Sequence, residues 1–412
     1  MAELNYHYGL KVCIYPSDQQ KQLIKVNSDA SRFVYNEMVA IGKELAQLKR
    51  VKLPIDLVIR RIKQLRQRQN ARQMANHYQF LEDPRIDSLA KANAIQNYHK
   101  AWHAFRKVHT AGVPKFHRKS YAWRYQTNCQ YPGKKLATMT NGTVRFIDKQ
   151  HVIVPKIGRL RLKGLIPHLF QNSQVIRIGT VTLTKDATDR FFLSMQLGSD
   201  QPFVTTLSKA DKVVGIDLNT ENFLTDSNGL VVANPRFYRR IKGRLAKAQR
   251  KLSRRRLRAK KEQRTLRNSR NYQKQRLLVA KLHCQVRERR QAFLHKLSTA
   301  LIKNHDVVVA EELRSKNLLK NHALALSISD VGWRTFLSML TYKAGLYGRK
   351  FIAVNPRNTT QTCSDCGFVM GTDNTLKLTL AQRKWTCPHC GKFHIRDHNA
   401  AQNILNKGLK LV

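Results

Sequence analysis

Four cysteines near the end of this 412-residue chain set the first constraint on its fold. Cys363 and Cys366 form one C-x-x-C pair and Cys387 and Cys390 a second, with twenty residues between the pairs. That spacing suits four thiolates closing on one Zn2+. Gly367 and Gly391 follow the pairs, as a knuckle needs where backbone amides turn tightly toward sulfur. Four thiolates leave no open coordination position, so the zinc is expected to be structural. The next stretch, RDHNAAQNIL, reads as a helix with Ala400, Ala401, Ile404 and Leu405 on its apolar side and Asp397 at its mouth. The ribbon is thereby tied to an acid.

Charge narrows the partner class. Lys and Arg number 76 against 26 Asp and Glu, a formal net charge of +50. Self-repulsion on that scale calls for a polyanionic partner. The 42% hydrophobic content is enough for real cores, and the length suggests two to four units. No apolar run approaches the roughly 20 residues of a membrane span, and no signal-peptide core follows Met1. A soluble, cytoplasmic protein without a membrane partner is expected, and nothing indicates an oligomer. Cys13, Cys129 and Cys284 are scattered and read as reduced thiols.

Along the chain, Leu10, Val12 and Ile14 alternate with Lys11, Cys13 and Tyr15 as a strand that Pro16 stops. Ser17 and Gln20 offer a capping box for a helix through Leu23, Ala30, Phe33, Val34 and Met38. A second helix after Pro54 sets Val58, Ile62 and Leu65 against a basic face of Arg60, Arg61, Lys63, Arg66 and Arg68. A third packs Ile95, Tyr98, Trp102 and Phe105. From Gly112 cations interleave with Phe116, Tyr121, Trp123 and Tyr125, a mixture that suits stacking on bases but also lines ordinary cores. Short strands follow, with a hairpin turn expected at Asn141-Gly142 and a long hairpin around Asp186–Asp189. These suggest a small antiparallel barrel that includes the N-terminal strand. Past the polar stretch Ser208–Lys212, VVGID is a buried strand ending in Asp217, and a second and third strand turn at Asn228-Gly229. Arg236 to about Arg290 is basic with Leu and Ala at helical spacing, which predicts long helices beside a groove. VVVAEE is another buried strand, ending in Glu311 and Glu312. Ser327–Asp330 leads into a helix with Trp333, Phe336, Leu337 and Leu340, and Tyr347–Val354 returns as a strand.

Strand-Asp, hairpin strands, strand-Glu and helix-Asp, in that order, is the layout of an RNase H-like core. Asp217, Glu311 and Asp397 could then hold two Mg2+ or Mn2+ ions for in-line attack on a phosphodiester. Hard oxygen ligands suit those ions and thiolates do not, so the two metal sites should stay separate. GIDLNT also fits a phosphate loop of actin-like ATPases, but Asn219 stands where such a loop favours Gly, and later Gly-rich loops are missing. Strand alternation allows only one of Glu311 and Glu312 to face the site, and Glu311 is the expected one.

VVGIDLN, VVVAEEL, the paired C-x-x-C and RDHNAAQNIL resemble the TnpB family, the transposon-encoded RNA-guided nucleases related to type V CRISPR effectors. GVPKF, VPKIG, FLHKLST, ALSISDVGW and TTQTCSDCG fall in the family's order, so the likeness covers nearly the whole chain. The resemblance implies a multidomain α+β fold. A wedge-like β-barrel would span 1–16 and 112–207, with a helical recognition lobe at 17–111 inserted in it. A RuvC-like nuclease domain would span 208–362 and 391–412, holding a zinc ribbon at 363–390. It also implies that Asp217, Glu311 and Asp397 are the catalytic triad, the family's first Glu being the catalytic one. His394-Ile395-Arg396 departs from the common His-Asp-Arg, and Ala310 from the usual β-branched residue, without removing a ligand. The implied activity is RNA-guided cleavage of double-stranded DNA beside a short flanking motif, with a guide RNA from the transposon end. The rival expectations are a strand-transfer transposase, a DNA-binding regulator without cleavage, and a compact CRISPR effector. No end-binding helix-turn-helix is evident in the sequence.

Overall fold

The computed structural model describes residues 4–51, 55–133, 136–165, 167–312, 330–379 and 381–411. Pro54, Leu313 and Ser327–Ser329, which figure in the expectations above, lie outside them. The chain divides into two compact units, Met1–Phe203 and Val204–Val412. Both mix helices with sheet. Among the described residues, no helix is long and apolar enough to cross a membrane.

The first unit contains β1 (Tyr6–Tyr15), α1 (Asp18–Leu48), α2 (Asp56–Gln67), α3 (Ala71–His77) and α4 (Ser88–Lys107). After them come β2 (Trp123–Asn128), β3 (Arg145–Asp148), β4 (His151–Val154), β5 (Gly158–Lys163), α5 (Pro167–Gln171), β6 (Arg177–Lys185) and β7 (Phe191–Ser199). The strands pair in the order β2-β6-β7-β1-β5-β4-β3, every pair antiparallel. The N-terminal strand therefore lies inside the sheet. Past the ends of the edge strands, Gln130 and Thr143 exchange hydrogen bonds of 2.8 and 2.9 Å, which curls the sheet toward a barrel. Asn141-Gly142 turns the chain into β3, whereas the hairpin turn proper is Lys149-Gln150, between β3 and β4.

Ser17 and Gln20 form the capping box of α1. Gln20 Nε2 also donates to Arg159 O at 2.8 Å, so the helix start is pinned to β5. Helices α1 and α4 dock on β2 through small polar groups: Ser28 Oγ accepts from Arg124 N–H, and Asn93 Nδ2 donates to Gln126 O. Tyr125 is 2% exposed, so it is core and unavailable for stacking on bases. Phe116 is exposed with Lys43 Nζ 4.5 Å from its ring, and Trp123 carries Lys185 at 4.1 Å.

The second unit contains β8 (Val213–Asp217), β9 (Asn222–Asp226), β10 (Val231–Ala233), α6 (Phe237–Lys261), α7 (Arg270–Asn304) and β11 (Val307–Glu311). It continues with α8 (Trp333–Tyr347), β12 (Lys350–Val354), β13 (Lys384–Thr386), β14 (Phe393–Ile395) and α9 (Arg396–Leu409). Tyr347 thus ends a helix and does not open β12. The main sheet runs β10-β9-β8-β11-β12, with β11 parallel to both β8 and β12 and the first three strands an antiparallel meander. Gly229, at φ +86°, makes the β9–β10 turn.

Both faces of this sheet are covered, and strand alternation sorts residues between them. Val214, Ile216, Val308 and Ala310 join the core beneath α7 and α8, with Leu294, Leu301, Phe336 and Leu340. Val307 and Val309 face the other way, toward Ile404 of α9. Helix α9 lies close on that face because two glycines permit it. A Cβ on Gly215 would collide with Ala401 O and Leu405, and one on Gly408 with Val309. The long α6 and α7 pack through Leu245, Ala248, Val279 and Leu282. The start of α6 is capped from a distance, Asp330 accepting from the Tyr238 N–H at 3.0 Å.

Candidate active site and thiolate cluster

The alternation that turns Gly215, Val307 and Val309 toward α9 turns Asp217 and Glu311 the same way, at the ends of two adjacent parallel strands. Glu312 has the opposite parity and is exposed. Asp397 sits in the first turn of α9, on the helix that covers this face. Three acids far apart in sequence thus come to one edge of the sheet, where Glu311 and Asp397 act on Asp217 by charge.

Their electrostatics follow from burial. Asp217 is 7% exposed. Burial first, and then the charges of Glu311 and Asp397, push its carboxyl up to about 7. Burial also raises Glu311, although the Thr359 hydroxyl, which donates to its Oε1, and the Lys407 charge hold it down. Partial compensation reaches Asp397, with Arg383 Nη1 and Arg396 Nε each 3.5 Å from its Oδ1. Arg383 also meets Glu221 at 2.8 Å. Three cations, Lys407, Arg383 and Arg396, thus stand around the three acids. Hard carboxylate oxygens suit Mg2+ or Mn2+.

Burial of an acid does not by itself mark this site. Asp226 and Asp330 are 4% and 6% exposed, yet Asp226 accepts from the Asn228 and Leu230 N–H groups of its own turn. Asp330 serves α6 and pairs with Arg290. Asp217 differs in having two other acids for neighbours.

The four cysteines converge as well. All four Sγ atoms lie within 4.8 Å of one another, a geometry that could hold a metal ion. Cys363 and Cys390 are 3.7 Å apart and Cys366 and Cys387 3.6 Å. The two knuckles match: Gly367 N–H donates to Cys363 O and Gly391 N–H to Cys387 O, each glycine in the left-handed region. Burial pushes the Cys363 thiol up to about 12. At Cys387 burial acts in the same direction, but the backbone N–H groups of Cys390 and His389 outweigh it and bring the thiol down to about 7. Soft sulfurs here and hard oxygens at the sheet edge keep the two candidate metal centres chemically distinct.

His394 is a neighbour that spacing did not single out. It is 5% exposed, tilts against Trp385 across the β13–β14 pair, and its Nε2 lies 3.1 Å from Cys363 Sγ and 3.6 Å from Asp365. Burial holds this imidazole below its usual pKa. Its position in HIRD, three residues before Asp397, was the available signal.

A basic α/β protein with a carboxylate site on a meander-plus-parallel sheet and a four-thiolate cluster beside it is the class defined by these features. Three family models match the chain in order. They are described as "Helix-turn-helix domain" at residues 7–49, "Probable transposase" (OrfB of IS605) at 193–322 and "Cas12f1-like, TNB domain" at 333–404. A Streptomyces pristinaespiralis protein provisionally named an RNA-guided DNA endonuclease is 40% identical over 231 residues, 56% of this chain and 53% of that one. Escherichia coli K12 InsQ, with the same provisional name, is 27% identical over 418 aligned positions, 97% of this chain and 92% of the relative. The chain spans about half the length of the first relative and nearly all of the second. A solved Cas12f1–sgRNA–target DNA complex covers 97% of this chain at 15% identity and a TM-score of 0.49, below the level that establishes a common fold.

The chain is thus similar to IS605 OrfB transposases and to TnpB-like proteins. One correction comes with this likeness. A helix-turn-helix model does match the N-terminus, contrary to the sequence reading. Those residues nevertheless form one strand and one uninterrupted 31-residue helix, with no turn between two helices.

Proposed function

We infer that the protein is an RNA-guided DNA endonuclease of a transposon, cutting double-stranded DNA that pairs with a bound guide RNA beside a short flanking motif. The observation that carries this reading is the meeting of Asp217, Glu311 and Asp397 in a chain of net charge +50. The order β10-β9-β8-β11-β12 supports an RNase H-like, RuvC-type core. In this reading the seven-stranded sheet is the wedge, α1–α4 the recognition lobe, and the segment from Cys363 to Cys390 a zinc ribbon. Guide RNA and target DNA would neutralise the basic surfaces, and sequence would be read by pairing of guide to target.

Asp217, Glu311 and Asp397 would hold Mg2+ or Mn2+, and the four cysteines would hold Zn2+. Two divalent ions, when bound, would supply charge stabilisation to an in-line displacement at phosphorus. The chain's own groups then have separate tasks. Thr359 fixes Glu311 by its hydroxyl, and α9 delivers Asp397 to the sheet. Arg383, half-exposed between Glu221 and Asp397, can meet a phosphate oxygen at the site. The buried faces keep bulk water away from Asp217.

The test is expression with the native flanking DNA, sequencing of the RNA that co-purifies, and cleavage of a matched duplex. A single abundant RNA ending in sequence from beside the element, with cutting lost in Asp217→Ala and Asp397→Ala, is expected. A random RNA mixture, or undiminished cutting in both variants, overturns the reading. Joined rather than cleaved products would make the strand-transfer alternative the correct one.

A further inference from the structure

Two buried amides on α9 have no part in the reaction described so far. Asn399 and Asn403 are 1% and 7% exposed, and a buried amide is costly unless its hydrogen bonds are met. Here they are met by one short segment. Asn399 Nδ2 donates to Thr362 O at 2.7 Å, and its Oδ1 accepts from Ser364 N–H at 2.9 Å. Asn403 Nδ2 donates to Thr359 O at 2.9 Å and to Thr362 O at 2.6 Å.

The two ends of that segment reach different chemistry. At one end Cys363 enters the thiolate cluster. At the other, Thr359 is 2% exposed and its hydroxyl donates to Glu311. The same cluster grips the start of α9 independently, because His394 Nε2 lies on Cys363 Sγ and Arg396 opens the helix two residues later. The cluster therefore holds an arm to Glu311 and an arm to Asp397.

We propose that residues 359–364, clamped by Asn399 and Asn403, form a strut through which the thiolate cluster sets the spacing of Glu311 and Asp397, with Thr359 as the positioning residue. The proposal rests on reading the three carboxylates as a divalent-cation site. Outer groups that orient metal ligands change affinity by about 10–100-fold when lost. Thr359 is such a group, donating to one carboxylate while its own backbone is fixed from the helix that carries another. Zinc is then more than a local staple: its loss frees Cys363 and His394 together and loosens both arms.

The experiment uses full-length protein without nucleic acid and follows Mn2+ by the electron paramagnetic resonance of the free ion. Binding is counted as the part lost in Asp217→Ala, and zinc content is measured in parallel. Thr359→Val with full zinc is expected to bind Mn2+ about tenfold more weakly, and Thr359→Ser to restore it. Mild chelation of zinc from the wild type should weaken Mn2+ binding similarly and add little to Thr359→Val. Unchanged affinity in Thr359→Val, or losses from chelation and substitution that simply multiply, overturns the strut. If chelation unfolds the protein, the zinc-loaded Thr359→Val and Thr359→Ser pair decides alone. Absence of any Asp217-dependent Mn2+ binding in the zinc-loaded wild type would instead reject the carboxylate-site reading itself.

Discussion

Along β1 of the seven-stranded sheet, buried Leu10, Val12 and Ile14 alternate with exposed Lys11 and Tyr15. Along β8 and β11 of the five-stranded sheet the burial is nearly continuous, Val214 through Asp217 and Val307 through Ala310. The first pattern is a sheet with one covered face, the second a sheet sandwiched by helices. An acid therefore carries different information in the two sheets. On the open face of the first sheet a charge is solvated at little cost. At the end of a doubly covered strand, Asp217 must lose water beside two other acids, an arrangement that a bound cation would relieve.

The largest effect is expected for Cys387→Ser. Structural zinc in small domains contributes on the order of 10 kcal/mol, so this variant should lose its zinc and the ordered ribbon, while Cys129→Ser in the first unit keeps full zinc. Metal analysis with proteolysis of residues 363–395 checks this, and retained zinc would refute the cluster.

Next comes Asp217→Asn, measured without added divalent cation. The folded carboxyl titrates at about 7 and the unfolded one at about 3.9. Between those values the folded state holds a proton that the unfolded state has released, so stability falls as pH rises through that window. The penalty is complete above pH 7 and amounts to roughly 4 kcal/mol. Asp217→Asn should melt at a higher temperature at pH 7.5 and lose the corresponding pH slope. A lower melting temperature there would show that the burial is compensated by other means.

Gly215→Ala should follow, costing about 2 kcal/mol because the added methyl must displace α9. Denaturant titration of the second unit reads it, and a neutral result would mean the helix seats less closely than described. Smallest is Lys163→Thr, on the exposed face of β5. A stability change within about 0.5 kcal/mol is expected, and a larger one would end the claim that this face is open.

Much of this was legible in the sequence because it rests on periodicity. The alternation of β1, the capping box at Ser17, the Asn228-Gly229 turn and the two C-x-x-C knuckles are local patterns with local causes. Alternation in the sequence showed only that one of Glu311 and Glu312 could face the site; it is the packing of Val307 and Val309 toward α9 that gives Glu311 the same parity. Less legible were features set by distant partners. Tyr125 reads like its aromatic neighbours, but pairing of β2 with β6 buries it. Helix α3 is too short for its period to register. Asn141-Gly142 has hairpin chemistry but lacks a strand partner on one side, so the turn is used to enter β3. Asn399, Asn403 and Thr359 look like ordinary polar residues in sequence, because their meaning depends on a segment some forty residues away.

The close seating of α9 on β8 and β11 has a consequence in time. The pocket draws one acid each from residues 217, 311 and 397, and the helix bearing the last spans both strands that bear the others. While the chain is being made, β8 and β11 can pair long before α9 leaves the ribosome. Until then the face holding Gly215 and Val309 is bare, and the acids at its edge number two. A growing chain that already presents much of its basic surface thus lacks its third acid until the last helix emerges.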